Sequence, residues 1–262
     1  MNRPTLAALV AAVAALSLGA TAVAADSPRS LVGAPLQPDL VVLPLVDLDL
    51  QQRGSRTLLR LGNRVGNLGP SPLELRPQRA DCDGDGDASN DRHGYQRVYR
   101  DGNGDGQFDP RRDRGFSRRP AACSSFHRRH AHWHYADFAR YELRRASDNA
   151  VVRASAKVSF CMIDMFQVLD PVPGKARLSS FKSCEADLMQ GLSVGWGDEY
   201  SSYLPGQHVD VSGLPRATYC LVSTVDPSGS IEERDETNNV ATTAVSLGRN
   251  RVIARPARTC LP

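Results

Sequence analysis

Short runs of alternating apolar and β-branched residues, each bounded by turn-forming residues, recur along the chain from Pro38 onward. Runs of this kind favour strands that bury one face. The runs cover residues 39–42, 57–61, 73–75, 138–143, 151–161 and 217–225. We find no convincing long amphipathic periodicity of the kind that predicts a helix. The sequence therefore predicts an all-β fold, an antiparallel β-sandwich-like single domain.

Two long segments without strand patterns interrupt these runs. An acidic, glycine-rich segment covers residues 81–113, and a second segment that contains several prolines covers residues 167–197. Loops of such length in a compact domain are usually functional or disordered. We expect the sandwich to carry both as long irregular loops, the first of them as an insertion.

The beginning of the chain has the three zones of a secretory signal. Arg3 precedes an alanine- and leucine-rich run to Leu18, and small residues follow to Ala25. A membrane anchor is the rival interpretation, but the run is short and no later apolar span accompanies it. We predict a signal peptide over residues 1–25, a secreted, extracellular domain over residues 26–262, and no membrane span in the mature chain.

Cysteine content and net charge further limit the class of protein that this chain can be. Export to an oxidising compartment would let the six cysteines pair as disulfides, although the sequence does not choose the connectivity. The 262 residues carry a formal net charge of +3, a smaller excess than nucleic-acid binders usually show. We therefore predict no nucleic acid among the partners.

Four of the six histidines fall within eight residues. On a strand, residues two apart point to one face, so His130, His132 and His134 could present three imidazoles to one metal ion, whereas His127 falls outside that alternation. Imidazoles without a carboxylate favour copper or zinc, and three protein ligands leave positions open for water or substrate. The alternatives are a polar surface strand and a purely structural metal site.

Lys157 is one of only three lysines in a chain that has 29 arginines. Alternation along 151–161 places it on the polar face of a strand, and an ordinary exposed lysine is the simplest interpretation. An amine, however, can lose its proton and act as a nucleophile, which a guanidinium cannot do. Lys157 is thus a candidate reactive residue.

Two loops in the acidic segment begin like EF-hand calcium loops, with oxygen-bearing side chains at alternate positions and then a glycine for the sharp turn. Arginine replaces the closing glutamate in both, so the last ligand must come from elsewhere, with Asp91 and Asp113 as candidates. We predict that the insertion binds Ca²⁺; a solvated acidic loop is the alternative. The predicted ligands are Asp81, Asp83 and Asp85 in the first loop and Asp101, Asn103, Asp105 and Asp109 in the second.

Together these stretches resemble the catalytic domain of the lysyl oxidase family, from about Pro38 to the C-terminus. The family's copper-binding stretch of alternating histidines, followed by an aspartate, a phenylalanine and an aromatic and acidic strand, is matched by residues 130–134 and 137–143. The resemblance implies that His130, His132 and His134 bind Cu(II).

The resemblance also implies a self-made cofactor, lysine tyrosylquinone. Lys157, just ahead of Ser-Phe-Cys at 159–161, matches the lysine of that cofactor. The family's tyrosine follows a Gln-Gly-Leu-Ser stretch, here at 190–193, which makes Tyr200 the implied quinone precursor and Tyr203 the fallback. Asp198, close to Tyr200 in sequence, is a suggested general base.

An oxygen-rich cluster at 232–239 could clamp calcium or simply form a polar turn. Family members bind calcium through a Glu-x-Asp-x-x-Asn-Asn stretch together with an aspartate near the start of the domain. The implied structural Ca²⁺ ligands are Asp39, Leu40, Glu233, Asp235, Asn238 and Asn239.

The implied activity is that of a secreted copper- and quinone-dependent amine oxidase. It would use O2 to convert a primary amine or a lysine-containing protein to an aldehyde, with release of hydrogen peroxide and ammonia. The scarcity of lysine would protect such an enzyme from cross-linking itself. The alternative explanation for the preference of arginine over lysine is a genome base composition that favours arginine codons. The alternative function is a non-catalytic, calcium-stabilised extracellular β-sandwich that binds a partner and would tolerate Lys157→Arg.

Overall fold

The computed structural model describes residues 32–82, 84–155, 158–255 and 260. The predicted signal peptide, Asp83 and Lys157 lie outside the described residues. Within the described residues the chain forms sixteen strands and no helix, and no segment there is a helix long and apolar enough to span a membrane.

The strands are numbered in chain order. The first eight are β1 (Pro35–Leu36), β2 (Leu40–Arg53), β3 (Arg56–Asn67), β4 (Leu73–Arg79), β5 (Asp91–Arg100), β6 (Phe116–His127), β7 (His132–Arg145) and β8 (Val151–Ala154). The others are β9 (Val158–Phe160), β10 (Phe166–Gln167), β11 (Gln190–Leu192), β12 (Trp196–Tyr200), β13 (His208–Asp210), β14 (Thr218–Val225), β15 (Val240–Leu247) and β16 (Val252–Arg255).

These strands form two antiparallel sheets. The larger sheet has the order β11-β4-β5-β6-β7-β14-β15-β16, with β1 paired to β5 and with β8 and β9 paired to β7. The smaller sheet has the order β10-β12-β3-β13, with β2 paired to β3. The predicted all-β, antiparallel fold is therefore confirmed.

A continuous hydrophobic core includes side chains from both sheets. Leu59 and Leu61 of β3 and Leu143, Leu221 and Val245 of the larger sheet are fully buried in it. Each such side chain contributes about 1.5–3 kcal/mol to the stability of the fold. This core fixes the position of β12 relative to β7, and both strands carry predicted site residues.

The acidic segment 81–113 is not one continuous loop, because β5 crosses it and pairs with β4 and β6. Five residues of this strand are buried, but Val98 is the one large apolar side chain among them: Asp91, Arg92, Gly94, Gln96 and Val98. Its many charged and polar residues hide the alternation that would have predicted a strand. The two EF-hand-like loops therefore lie at opposite ends of β5.

All six cysteines form disulfides, as predicted: Cys82–Cys123, Cys161–Cys184 and Cys220–Cys260. The Cys82–Cys123 disulfide links the EF-hand-like loop that begins at Asp81 to β6. The second anchors the irregular segment after β10 to the end of β9. A covalent link of this kind restricts the unfolded chain and so stabilises the fold.

Candidate active site

The hairpin between β6 and β7 brings four imidazoles together. His127, the last residue of β6, pairs in register with His132, the first residue of β7. The backbone N–H of His130 donates to the carbonyl of His127 at 3.0 Å, so His130 lies in the connecting turn and not on a strand. Alternation along a strand therefore does not govern the position of His130.

The closest contacts in this histidine cluster include His127. The rings of His127 and His130 lie 4.1 Å apart between centroids, and His130 Nδ1 lies 3.2 Å from His134 Nε2. One nitrogen from each of these three residues falls within 4.8 Å of the others. The ring of His132 lies 4.8 Å from that of His134. The structure thus places His127 beside the three histidines predicted from the motif, and register pairing across the hairpin is the signal that would have found it.

Burial favours the neutral form of His130, His132 and His134. Desolvation lowers the pKa of His134 to about 3, and the neighbouring imidazoles lower it further. Desolvation also lowers the pKa values of His130 and His132. Neutral imidazoles have lone pairs available for a metal ion.

Two nitrogens of the cluster fit a metal ion. His127 Nδ1 and His130 Nε2 are buried and have no hydrogen-bond partner in the described part of the chain. A buried polar atom without a partner costs about 1–3 kcal/mol, and coordination would offset that cost. The all-nitrogen donor set suits copper.

Ser159 of β9 holds His134 in place. Its Oγ lies 3.1 Å from His134 Nδ1, on the opposite edge of the ring from the nitrogen that faces His130. A partner of this kind fixes the ring orientation and the tautomer of a metal-binding histidine.

Tyr200, the last residue of β12, is buried next to the histidine cluster. Its hydroxyl accepts a hydrogen bond from the Cys161 N–H at 2.6 Å, and its ring lies 3.8 Å from that of Phe160 between centroids. Burial, with a further contribution from Asp198, raises its pKa above the ordinary value. Tyr203, by contrast, is 79% exposed.

Two cavities meet at the histidine cluster. The first, of about 340 Å³, is lined by His127, His130 and His134 and also by Ser155 and Val158, the described residues that flank Lys157 in sequence. The second, of about 320 Å³, is lined by the predicted residues Asp198 and Tyr200 and by residues at its rim. His130 lines both cavities.

Asp198 has the environment of a proton-transfer group. Its side chain is buried, Oδ1 accepts from the Glu199 N–H at 2.9 Å, and Oδ2 has no hydrogen-bond partner among the described residues. Burial raises its pKa well above the ordinary value. A raised pKa is one way in which a buried carboxyl is prepared for proton transfer.

The predicted calcium ligands near the two ends of the domain lie together. Glu233 Oε1 accepts from Asn239 Nδ2 at 2.9 Å, and Oε2 accepts from the Leu40 N–H. Asn238 Nδ2 donates to Asp39 Oδ1 at 2.7 Å. This end cluster joins the start of β2 to the turn before β15.

The end cluster also fits a hard cation. The amide oxygens of Asn238 and Asn239 are buried without a hydrogen-bond partner in the described ranges, and burial raises the pKa of Glu233 to about 8. Carboxylates of Asp226 and Glu236, which sequence reasoning missed, lie within 4.8 Å of that of Glu233. Calcium takes six to eight such oxygens.

Asp235 differs from the other members of that predicted set. Its side chain is half-buried, and Oδ1 accepts from the Thr237 N–H at 2.9 Å. It therefore shapes the turn in this structure.

The second EF-hand-like loop is organised around two buried carboxylates. Asp101 accepts from the N–H groups of Gly104 at 2.6 Å and Gly106 at 2.7 Å. Asp113 accepts from the N–H groups of Gly102 and Asp109, both at 2.6 Å. Asp113 thus belongs to this loop, as one of the two closing residues considered from the sequence. Two other predicted ligands, Asn103 and Asp105, hydrogen-bond to each other at 2.7 Å. Asp109 Oδ1 accepts from the Arg111 N–H at 2.8 Å.

The first EF-hand-like loop has a similar but more exposed arrangement. Asp81 accepts from the N–H groups of Gly84 at 2.8 Å and Gly86 at 3.0 Å. Asp85 Oδ2 accepts from Asn90 Nδ2 at 2.9 Å. Asp91, the other closing candidate, is buried and accepts from the Cys82 N–H at 3.3 Å.

Comparison with known proteins gives a family match and several relatives. The family model described as lysyl oxidase matches residues 105–256. Protein-lysine 6-oxidase of Sus scrofa is 33% identical over 123 residues, which cover 47% of this chain and 46% of the relative. The same enzyme of Gallus gallus is 30% identical over 125 residues, which cover 47% of this chain and 27% of the relative. Lysyl oxidase homolog 2 of Gallus gallus is 26% identical over 163 residues, which cover 56% of this chain and 18% of the relative. The matched region therefore spans less than half the length of these relatives.

Proposed function

Because the chain belongs to the lysyl oxidase family, we propose that it is a secreted copper- and quinone-dependent amine oxidase. Protein-lysine 6-oxidases, by their name, act on lysine in proteins. For this chain the proposed substrate is a primary amine, either free or as the lysine side chain of a protein. The proposed products are an aldehyde, ammonia and hydrogen peroxide, with O2 as the oxidant.

The observation that supports this proposal best is the packing of the histidine cluster against a buried tyrosine. His134 and Tyr200 lie 6.1 Å apart between ring centroids. His130, His132 and His134 would hold Cu(II), with His127 beside them. When bound, copper would supply O2 activation, and lysine tyrosylquinone made from Lys157 and Tyr200 would accept electrons from the amine.

The surrounding residues have definable roles in this proposal. The backbone of Cys161 and the ring of Phe160 hold Tyr200 in one orientation. The cavity beside it has an apolar rim that includes Met165 and Leu204, which suits an alkyl chain that carries the amine. Asp198, on the wall of the same cavity, would take the proton from the carbon next to the amine nitrogen.

Calcium would have a structural role. Carboxylate and amide oxygens of the end cluster, with the Leu40 carbonyl, would bind one ion and so fix the start of β2 against the turn before β15. Asp235 remains a proposed member of this set. The loops that begin at Asp81 and Asp101 are the proposed sites in the insertion. Binding at any of them adds to the free energy of unfolding.

Secretion is proposed from the signal-like residues 1–25 and agrees with three disulfides, which form in oxidising compartments.

Turnover tests the proposed function directly. The mature chain, loaded with Cu(II) in air, should release hydrogen peroxide when given n-butylamine or a lysine-containing peptide. The matched variant Lys157→Arg keeps the positive charge but cannot act as a nucleophile. It should bind copper and release no peroxide. Peroxide release by Lys157→Arg at the wild-type rate, or none from the copper-loaded wild type, would overturn the proposal.

A further inference from the structure

The chain contains very few lysine side chains, although the primary amine of lysine is a group that it is proposed to oxidise. Only three of its 32 basic residues are lysines. Lys157 has a proposed role in the cofactor, and the other two, Lys175 and Lys182, lie in the described part of the chain. Their surroundings differ sharply.

Lys175 is held against the protein. Its Nζ donates a hydrogen bond to the Val168 carbonyl. Its aliphatic stem packs over Gly195, where a Cβ atom would come within 2.5 Å of Lys175 Cγ. An amine held in this way cannot extend into the cavity of another molecule.

Lys182 is exposed, and its ammonium forms no hydrogen bond or ion pair with any described residue. The backbone beneath it is firmly anchored. The N–H groups of Ser180 and Phe181 donate to Asp164 Oδ2 at 2.8 and 3.2 Å, and Cys184 is bonded to Cys161. The fold therefore holds the backbone that carries this exposed amine in a fixed position.

Lys182 belongs to a different cavity from that of Tyr200. It lines a cavity of about 400 Å³ together with Glu74, Tyr99 and Phe108. The Tyr200 cavity has a rim at which Met165 and Tyr203 are 56% and 79% exposed. An extended lysine side chain on a second molecule can approach that exposed rim.

We propose that Lys182 is the self-modification site of this enzyme, oxidised by a second copy of the chain. This inference rests on the proposed function. The side chain –CH2–NH2 would react with O2 and H2O to give –CHO, NH3 and H2O2, with the amine carbon oxidised and O2 reduced. The aldehyde would then condense with the Lys182 amine of another copy, lose one water molecule and join the two chains through a C=N bond.

A two-component experiment tests this inference. The donor is copper-loaded Lys182→Arg, which keeps the surface charge and its active site. The recipient is isotopically labelled Tyr200→Phe, which cannot make the cofactor but retains Lys182. After incubation in air, the recipient is treated with a hydrazide probe and analysed by peptide mass spectrometry. We expect the probe at residue 182 and not at Lys175, and no probe on a recipient that carries both Tyr200→Phe and Lys182→Arg.

The donor is assayed in parallel with n-butylamine, which separates the two ways of failing. If the donor oxidises n-butylamine and Lys182 of the recipient stays unmodified, self-modification is wrong and the proposed function stands. If the donor oxidises neither, the proposed function is wrong and the inference falls with it. Probe at Lys175 to the same extent as at Lys182 would also contradict the inference, because the fold would then not select the site.

Discussion

The ring of His134 faces the ring of Tyr200 almost edge-on, with centroids 6.1 Å apart and planes at 77°. His134 lies on β7 of the larger sheet, and Tyr200 ends β12 of the smaller sheet. The packing of the two sheets therefore creates the contact between a neutral imidazole and a buried phenol. Neither strand could form this pair alone.

Replacement of Asp198 should reduce turnover and leave the cofactor intact. Asp198→Asn removes the carboxyl that would accept the substrate proton, so kcat should fall about 10²–10⁴-fold. Glu199→Gln is the matched control, because Glu199 is the next residue and pairs with Arg64 at 3.2 Å. Steady-state kinetics measures the loss of turnover, and hydrazine labelling of the quinone measures whether the cofactor is intact. Equal losses in the two variants would contradict the role of Asp198.

Loss of Ser159 Oγ should weaken copper binding. Ser159→Ala removes the partner of His134 Nδ1 and should raise the Kd for Cu(II) about 10–100-fold, as loss of such partners typically does. Ser125→Ala is the control, since Ser125 pairs with His134 in register but is exposed. Calorimetric titration with Cu(II) measures the Kd of both variants. An unchanged Kd in Ser159→Ala would contradict the assignment.

The calcium-free protein should lose stability as the pH rises. Burial raises the pKa of Glu233 from 4.5 to about 8. Between these values the folded chain keeps a proton that the unfolded chain has released, so the free energy of unfolding falls with increasing pH. The total fall is on the order of a few kcal/mol.

Urea unfolding between pH 4 and pH 9 in a chelator measures this dependence. Glu233→Gln should remove most of it, whereas Glu236→Gln, a change at an exposed neighbour, should not. Added Ca²⁺ should restore stability at the alkaline end, because it would bind the charged carboxylate. An identical pH dependence in Glu233→Gln and the wild type would show that another group controls it.

Asp113 should be needed for the stability of the second EF-hand-like loop. Asp113→Asn replaces one of two buried oxygens that accept backbone N–H groups and should cost about 1–3 kcal/mol. It should also abolish any increase in Tm that Ca²⁺ gives through this loop. Asp105→Asn, at an exposed position of the same loop, should have a smaller effect. Scanning calorimetry with and without Ca²⁺ distinguishes the two variants.

The sequence predicts several of the strands that bury apolar side chains, although it misses β15, whose Val245 is fully buried. The run 57–61 lies within β3 and the run 138–143 within β7, because alternation reports burial of one face. β5 escapes prediction because arginine, tyrosine and glutamine dominate it. Its place between β4 and β6 is set by tertiary pairing, which local pattern does not encode.

In the candidate site, too, the local sequence pattern predicts some residues and the tertiary fold adds others. Spacing alone groups three histidines, whereas the register of the hairpin adds His127, and contact across the sequence adds Asp226 and Glu236 to the end cluster. The disulfide pairing also depends on the fold, since partners such as Cys82 and Cys123 are 41 residues apart. Residues brought together over such separations are not visible in a single sequence.

The most direct test of the proposed enzyme is peptide mass spectrometry of the mature, copper-loaded protein after exposure to air. We predict a covalent link between the peptides that contain Lys157 and Tyr200, retained in Tyr203→Phe and absent from Tyr200→Phe. Both peptides recovered unmodified from wild-type protein that had bound copper and been exposed to oxygen would contradict it.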